Sequence, residues 1–266
     1  MNSILLLVDL TPTASISANQ AISLAKYKEA KITLCYIAQT KEVSESADLK
    51  EKIKSYTSRF DENHLSYDVH IGVGDYKKEI PAYVKSTRPD LVVVGTHGAK
   101  GLRQKWFGSD IYALIKSLPA TVLVISDLSA KSDQGFSKIL LPVAAHDNYL
   151  LKVKQSCELL APKGTIVLFN IIKPGAEVSD KISNNILETK EYLHDKGIAY
   201  KIENVESAKF SVGYSRETLE YAKTNNVQLI SIMTRVAENS GGVSAETDKE
   251  NILLNDAGIP VLCANR

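Results

Sequence analysis

A glycine-rich segment in the first half of the chain has the residue types of a phosphate-binding loop. The segment reads Gly95-Thr96-His97-Gly98, then nine residues, then Gly108-Ser109. Glycines have no Cβ, so the backbone can turn sharply there and approach a ligand closely. Amide hydrogens and a hydroxyl at the start of a helix favour an anion, because the helix dipole is positive at that end. The spacing therefore predicts a site for the phosphates of a ligand.

A single acidic residue, Asp9, follows the first apolar run of the chain, residues 4–8. Parallel sheets bind ligands beyond the carboxyl ends of their strands, so Asp9 and Gly95 are expected at one edge of a sheet. A carboxylate there is suited to a ribose hydroxyl or to a nucleotide-bound metal. Each feature also has a simpler interpretation: glycines form turns, Ser109 suits a helix N-cap, and His97 suits a turn. The order of the features along the chain favours a ligand site.

Strands and helices alternate along both halves, which indicates a doubly wound parallel sheet in each. Predicted strands of the first half are residues 4–8, 32–38, 67–73, 91–94 and 122–125, and predicted helices are 14–25, 47–62, 77–85 and 111–118. Predicted strands of the second half are residues 139–143, 165–169, 199–205, 229–232 and 261–264. The fold class is therefore α/β, with two tandem Rossmann-like domains.

The two halves are copies of one unit. Three pairs of segments recur in the same order: SILLLVD with KILLPVA, DLVVVG with QLISIM, and PATVLVIS with GIPVLCAN. Their offset stays nearly constant, at about 135 to 139 residues, as a tandem duplication with small loop changes would leave it. We predict a first domain over residues 1–128, a polar linker over 129–136, and a second domain over 137–266.

Composition excludes several classes of protein. The 266 residues carry 32 Lys and Arg against 31 Asp and Glu, a net charge of +1 that argues against nucleic acid or an anionic membrane as the main partner. The three cysteines have no CxxC spacing, so neither a disulfide framework nor a zinc site is expected. The first apolar run is too short for a signal peptide or a membrane span. We expect a soluble protein of the reducing cytoplasm.

With these motifs, the sequence resembles the universal stress protein family in both halves. ATP-binding members carry Gly-x-x-Gly, nine residues, then Gly and Ser or Thr, which residues 95–98 and 108–109 match. The resemblance implies five-stranded domains of the adenine nucleotide alpha hydrolase-like type, with Asp9 contacting the nucleotide or its Mg²⁺ and Ile37 contacting adenine through its backbone. The expected nucleotide-binding residues are Leu7, Val8, Asp9, Ile37, Val94, Gly95, His97, Gly98, Gly108, Ser109 and Asp110. The resemblance also implies pairing of units through their last strands, as a pseudo-dimer of the two halves within the chain, and it leaves a homodimer as the open alternative.

The second half departs from the family pattern at the positions that matter for phosphate. Ala144 replaces the acidic residue, Met233 replaces the first glycine, and Thr247-Asp248 stands where Gly108-Ser109 stands in the first half. The side chain of Met233 would block the approach of a phosphate to the backbone, and the carboxylate of Asp248 would repel it. The second domain is therefore expected to keep the fold without the nucleotide. In the first half, Asp110 also departs from the pattern, either assisting a metal or weakening triphosphate affinity.

The leading hypothesis is an ATP-binding regulator of the stress response, with one site for ATP or another adenine nucleotide in the first domain. Hydrolysis is left open, since His97 is the one nearby group that could orient water, and at most a slow ATPase is expected. The alternatives are a nucleotide-independent interaction scaffold and a weak ATP hydrolase.

Overall fold

The computed structural model describes residues 1–96, 111–172, 175, 177–207, 214–234 and 242–265. The chain divides into two compact units: the first comprises Met1–Gln134 together with Asn265–Arg266, and the second comprises Gly135–Ala264. Each unit alternates strands with helices around a parallel sheet, so the predicted α/β class is confirmed. In the described part of the chain, none of the helices combines the length and the apolar character that a membrane span requires.

The first unit is a five-stranded parallel sheet with helical connections. Its elements are β1 (Ser3–Leu7), α1 (Pro12–Lys28), β2 (Lys31–Ala38), α2 (Lys41–Glu45), α3 (Ala47–Glu62), β3 (Tyr67–Val73), α4 (Tyr76–Thr87), β4 (Leu91–Thr96), α5 (Ile111–Ser117) and β5 (Val122–Ser126). The strands lie in the order β3-β2-β1-β4-β5, and every neighbouring pair is parallel. The order reverses at β1, which makes the sheet doubly wound.

The second unit repeats this topology. Its elements are β6 (Phe136–Pro142), α6 (Tyr149–Glu158), β7 (Leu160–Ile172), α7 (Asp180–Asp195), β8 (Ala199–Glu206), α8 (Ser215–Thr224), β9 (Leu229–Met233), α9 (Gly242–Leu253) and β10 (Val261–Ala264). The strands lie in the order β8-β7-β6-β9-β10, again with parallel pairing. The order reverses at β6, the counterpart of β1.

Apolar central strands and capped helices explain why the sequence folds in this way. Leu6 on β1 and Val93 on β4 are fully buried, as expected where helices cover both faces of a parallel sheet. Short polar side chains begin several helices by accepting a backbone N–H: Ser46 accepts from Leu49 at the start of α3, and Asp75 accepts from Lys77 at the start of α4. These caps fix where α3 and α4 begin and where the loops before them end.

Gly135, immediately before β6, is expected to tolerate no side chain. Its φ is +83°, and a Cβ there would lie 2.5 Å from the Leu159 carbonyl oxygen, which accepts a hydrogen bond from the Phe136 N–H. We expect Gly135→Ala to lower the free energy of unfolding by about 2 kcal/mol, combining backbone strain with a clash against backbone. Urea unfolding measures the change. Gly197→Ala is the matched control, because its φ is +63° but a Cβ there meets nothing within 4 Å, so its loss should be smaller.

Candidate functional site

The carboxyl edge of β1 and β4 is the topological switch point of the first unit. The strands run parallel with Leu7 opposite Val94, so the residues that follow them emerge side by side. Open α/β sheets bind ligands in the crevice at this point, because the connections leave on opposite faces. The side chains of Leu7, Val8 and Val94 are buried in the core. These three of the expected site residues therefore have their side chains in the hydrophobic core next to the carboxyl edge of the sheet.

Asp9 is held in a fixed orientation just beyond β1. Its side chain is only 5% exposed, and its Oδ1 accepts hydrogen bonds from the Thr11 N–H at 3.0 Å and the Thr11 hydroxyl at 2.5 Å. Between them, Leu10 has a φ of +61°, so the backbone turns sharply. An aspartate that bonds the backbone two residues on forms an Asx turn, which fixes its carboxylate. The carboxylate is thus preset to accept a hydroxyl or to ligate a cation.

Thr96, the last residue of β4, carries an unpartnered hydroxyl. Its side chain is fully buried, and its Oγ1 has no hydrogen-bond partner among the residues that the structure describes. Thr96 lies two residues beyond Val94, as Asp9 lies two residues beyond Leu7, its partner in the register. A buried hydroxyl without a partner is rare and costly, so this one is a candidate hydrogen-bond donor to a ligand. The motif reading treats Thr96 as a spacer between glycines, so only the structure reveals this hydroxyl.

The Asp9 carboxylate affects the pKa values of two tyrosines, Tyr36 and Tyr56. Burial raises the pKa of Tyr36 on β2 and of Tyr56 on α3, and the Asp9 carboxylate raises both further. Lys52 opposes the shift of the Tyr36 pKa, and Arg59 opposes that of Tyr56. The phenols are mostly buried, at 7% and 6% exposure. Sequence alone does not single these tyrosines out, because aromatic residues at core positions are typical of hydrophobic packing.

Ile37 lies near the end of β2, where a glycine on the neighbouring strand leaves room for its side chain. Ile37 is opposite Gly72 on β3, and a Cβ on Gly72 would come within 2.6 Å of Ile37 Cδ1. Gly74 follows with a φ of +133°, and its N–H donates to the Ala38 carbonyl oxygen at 2.8 Å. These glycines keep the strand ends close together, and the side chain of Ile37 is buried, which leaves its backbone as the group for a ligand.

The rest of the predicted loop lies outside the described residues. Gly95 is described: it is a buried residue of β4, opposite Ile125 on β5. His97, Gly98, Gly108, Ser109 and Asp110 fall in the undescribed range 97–110. Within the described ranges, no group of three or more His, Cys, Asp or Glu side chains could hold a metal ion. The predicted metal role of Asp9 therefore depends on the oxygens of a ligand.

The same edge of the second unit is built from different residues. Since β1 pairs with β4 as β6 pairs with β9, Ala144 takes the place of Asp9 and Met233 that of Gly95. Asp248 is nearly buried and accepts from the Tyr214 N–H and the Ser215 N–H, each at 3.1 Å. Its carboxylate thus stabilises the start of α8.

Residues 1–126 match the universal stress protein family. A universal stress protein from Archaeoglobus fulgidus DSM 4304 has a similar fold, with a TM-score of 0.63 at 15% identity, covering 100% of this chain and 96% of its own. A functionally unknown protein from Pseudomonas aeruginosa PAO1 is also similar, with a TM-score of 0.66 at 14% identity, covering 99% of this chain and 92% of its own. No curated protein matches the sequence.

Proposed function

Because residues 1–126 match the universal stress protein family, we propose that the first unit binds an adenine nucleotide and acts in the stress response. The proposed ligand is ATP, at the carboxyl edge of β1 and β4. The proposed site combines Asp9 and Thr96 with the backbone of Gly95 and of the glycine-rich residues that follow. The second unit is proposed to keep the architecture without a nucleotide.

The unpartnered hydroxyl of Thr96 is the observation that carries this proposal. Folded proteins seldom bury a hydroxyl without a hydrogen bond, since the loss costs about 1–3 kcal/mol. Here the hydroxyl lies at the switch point of a doubly wound sheet, next to a preset carboxylate and at the start of the Gly-x-x-Gly motif. A phosphate or ribose oxygen at this edge would satisfy it. We propose that Thr96 donates this hydrogen bond to the nucleotide.

The residues at the edge suit a nucleotide-bound Mg²⁺ as well as the nucleotide. Magnesium prefers carboxylate and phosphate oxygens and is usually held by one or two carboxylates together with the substrate phosphates. Asp9 would be the protein ligand, with its orientation fixed by the two hydrogen bonds from Thr11. When bound, the ion would neutralise charge on the phosphates.

The first experiment asks whether the protein binds the nucleotide. The purified full chain is denatured, any released nucleotide is identified, and ATP, ADP and AMP are then titrated with and without Mg²⁺. Retention of an adenine nucleotide, or saturable binding, supports the proposal. Neither retention nor binding at millimolar ATP would favour the interaction scaffold instead. Turnover of ATP above an enzyme-free control, lost in His97→Ala, would identify a hydrolase.

Asp9→Asn tests the role of the carboxylate. The amide keeps an oxygen for the Thr11 hydrogen bonds but removes the charge, so we expect the affinity for Mg²⁺-ATP to fall roughly tenfold. Binding measured without Mg²⁺ should change less. Asp90→Asn is the matched control: Asp90 lies just before β4 and accepts from the Asn2 N–H at 2.7 Å at the opposite edge of the sheet. Equal losses in both variants would refute a specific role for Asp9.

A further inference from the structure

Two buried lysines lie at the carboxyl edge of the second unit's sheet. Lys152 on α6 is 2% exposed, and its Nζ donates to the carbonyl oxygen of Pro142, the last residue of β6, at 2.6 Å. Lys249 on α9 is 7% exposed, and its Nζ donates to the carbonyl oxygen of Thr234, just after β9, at 3.2 Å. Because β6 and β9 are paired neighbours, both amines lie at the switch point of this unit.

No acidic side chain in the described part of the chain forms an ion pair with Lys152. Its described contacts are the Pro142 carbonyl oxygen and the ring of Tyr149, whose centroid is 4.3 Å from Nζ. Buried charges are normally paired, because removing them from water is costly. The Tyr149 ring on α6 lies beside Lys152, and Cys263 on β10 interacts electrostatically with Lys249. The Asp248 carboxylate, next to Lys249 in the chain, accepts hydrogen bonds at the start of α8. Burial and the neighbouring Lys249 accordingly lower the pKa of Lys152 to about 7.

The first unit has small residues where the second has large ones. At the offset that relates β1 to β6, Ala14 and Ser17 of α1 correspond to Tyr149 and Lys152 of α6, and all four are buried. Filling space alone would be achieved at lower cost by an uncharged side chain such as methionine. An amine at a ligand-binding edge, beside a second amine, is instead the chemistry that recognises an anion.

We propose that the second unit binds a small oxyanion between Lys152 and Lys249, at the carboxyl edge of β6 and β9. The bound group would be a free phosphate, sulfate or carboxylate. A nucleotide is disfavoured here because Met233 stands in place of Gly95 and Tyr149 in place of Ala14. The site differs in kind from the one proposed for the first unit, since its donors are ammonium groups and not backbone amides. This proposal stands independently of nucleotide binding.

Proton uptake provides the test in the full-length wild-type chain. Sulfate is titrated calorimetrically at pH 8 and constant ionic strength, in buffers of different ionisation enthalpy. Sulfate stays fully deprotonated at this pH, so any protons taken up on binding are bound by the protein. Anion binding should restore the charge of Lys152, with an uptake of about one proton per site. Phosphate is the second probe. Saturable binding without proton uptake, or no binding at tens of millimolar of either anion, would overturn the proposal.

Three variants assign the uptake to Lys152. Lys152→Met should lower sulfate affinity about tenfold or more and remove the uptake. Lys152→Arg should bind sulfate without uptake, because a guanidinium does not titrate in this range. Lys154→Met, on the same helix but exposed, should resemble the wild type. Wild-type uptake in Lys152→Met would refute the site. An ATP titration of the same variant reports separately on the first unit, so failure of either proposal leaves the other measurable.

Discussion

The Gly95→Met variant is expected to lose most of its affinity for adenine nucleotide, by up to roughly a hundredfold, which corresponds to about 2.7 kcal/mol. Gly95 is the penultimate residue of β4, directly before the unpartnered hydroxyl of Thr96. A methionine side chain placed there would occupy the space where a phosphate must approach the backbone. The second unit carries Met233 at the equivalent position of β9, so the fold itself accommodates this residue. Loss of binding would therefore report on the site and not on folding.

Val92→Ile is the matched control for this variant. It also copies the second unit, where Ile230 lies opposite Leu140 as Val92 lies opposite Leu5, and it changes a buried side chain of β4 away from the site by one methylene. Nucleotide affinity, measured by calorimetric titration, should stay within about twofold, while thermal unfolding shows that both variants fold. Wild-type affinity in Gly95→Met would mean that the nucleotide binds away from the end of β4.

Most of the fold could be predicted from the sequence, because fully buried strands leave short apolar runs. The predicted strand 261–264 coincides with β10, and the predicted strand 4–8 differs from β1 by one residue at each end. The short helix α2 gave no such signal, since none of its residues is buried. β7 begins at Leu160, five residues before the predicted strand, because Pro162 and Gly164 interrupt the apolar pattern.

The candidate site could be predicted only where order along the chain carries the information. The sequence predicts Asp9 and Gly95 as site residues because each follows a recognisable strand, and this role stays a prediction. Thr96 was not predicted, because a missing hydrogen bond is a property of three-dimensional packing that no spacing reveals. Lys152 was missed for a related reason: a lysine within a helix usually lies on a solvated face, and only the structure shows that this one is buried.

The second large expected effect is on stability, because the amine of Lys152 is buried in the folded protein. We expect Lys152→Met to raise the free energy of unfolding by about 3 kcal/mol at pH 7. Burial lowers the pKa of this group from 10.5 to about 7, so the folded state disfavours its charge, while the lost hydrogen bond to Pro142 offsets part of the gain. Methionine has nearly the same length without the charge. Urea unfolding measures the change, and the exposed Lys154→Met should alter stability by less than about 0.5 kcal/mol.

The sign of the pH dependence separates this charge effect from packing. Between pH 7 and 8.5 the unfolded chain keeps the proton on Lys152 while the folded chain releases it, so wild-type stability should rise with pH, by about 1–2 kcal/mol over this range. His70, whose pKa burial lowers, acts below this window. The thiols of Cys35, Cys157 and Cys263, whose pKa values burial raises, begin to reduce stability toward its upper end, equally in the wild type and in Lys152→Met. Lys152→Met should flatten the rise. An unchanged slope in that variant would mean that Lys152 stays charged in the folded protein. A flat profile together with higher stability would identify the buried amine as a group that destabilises the folded state.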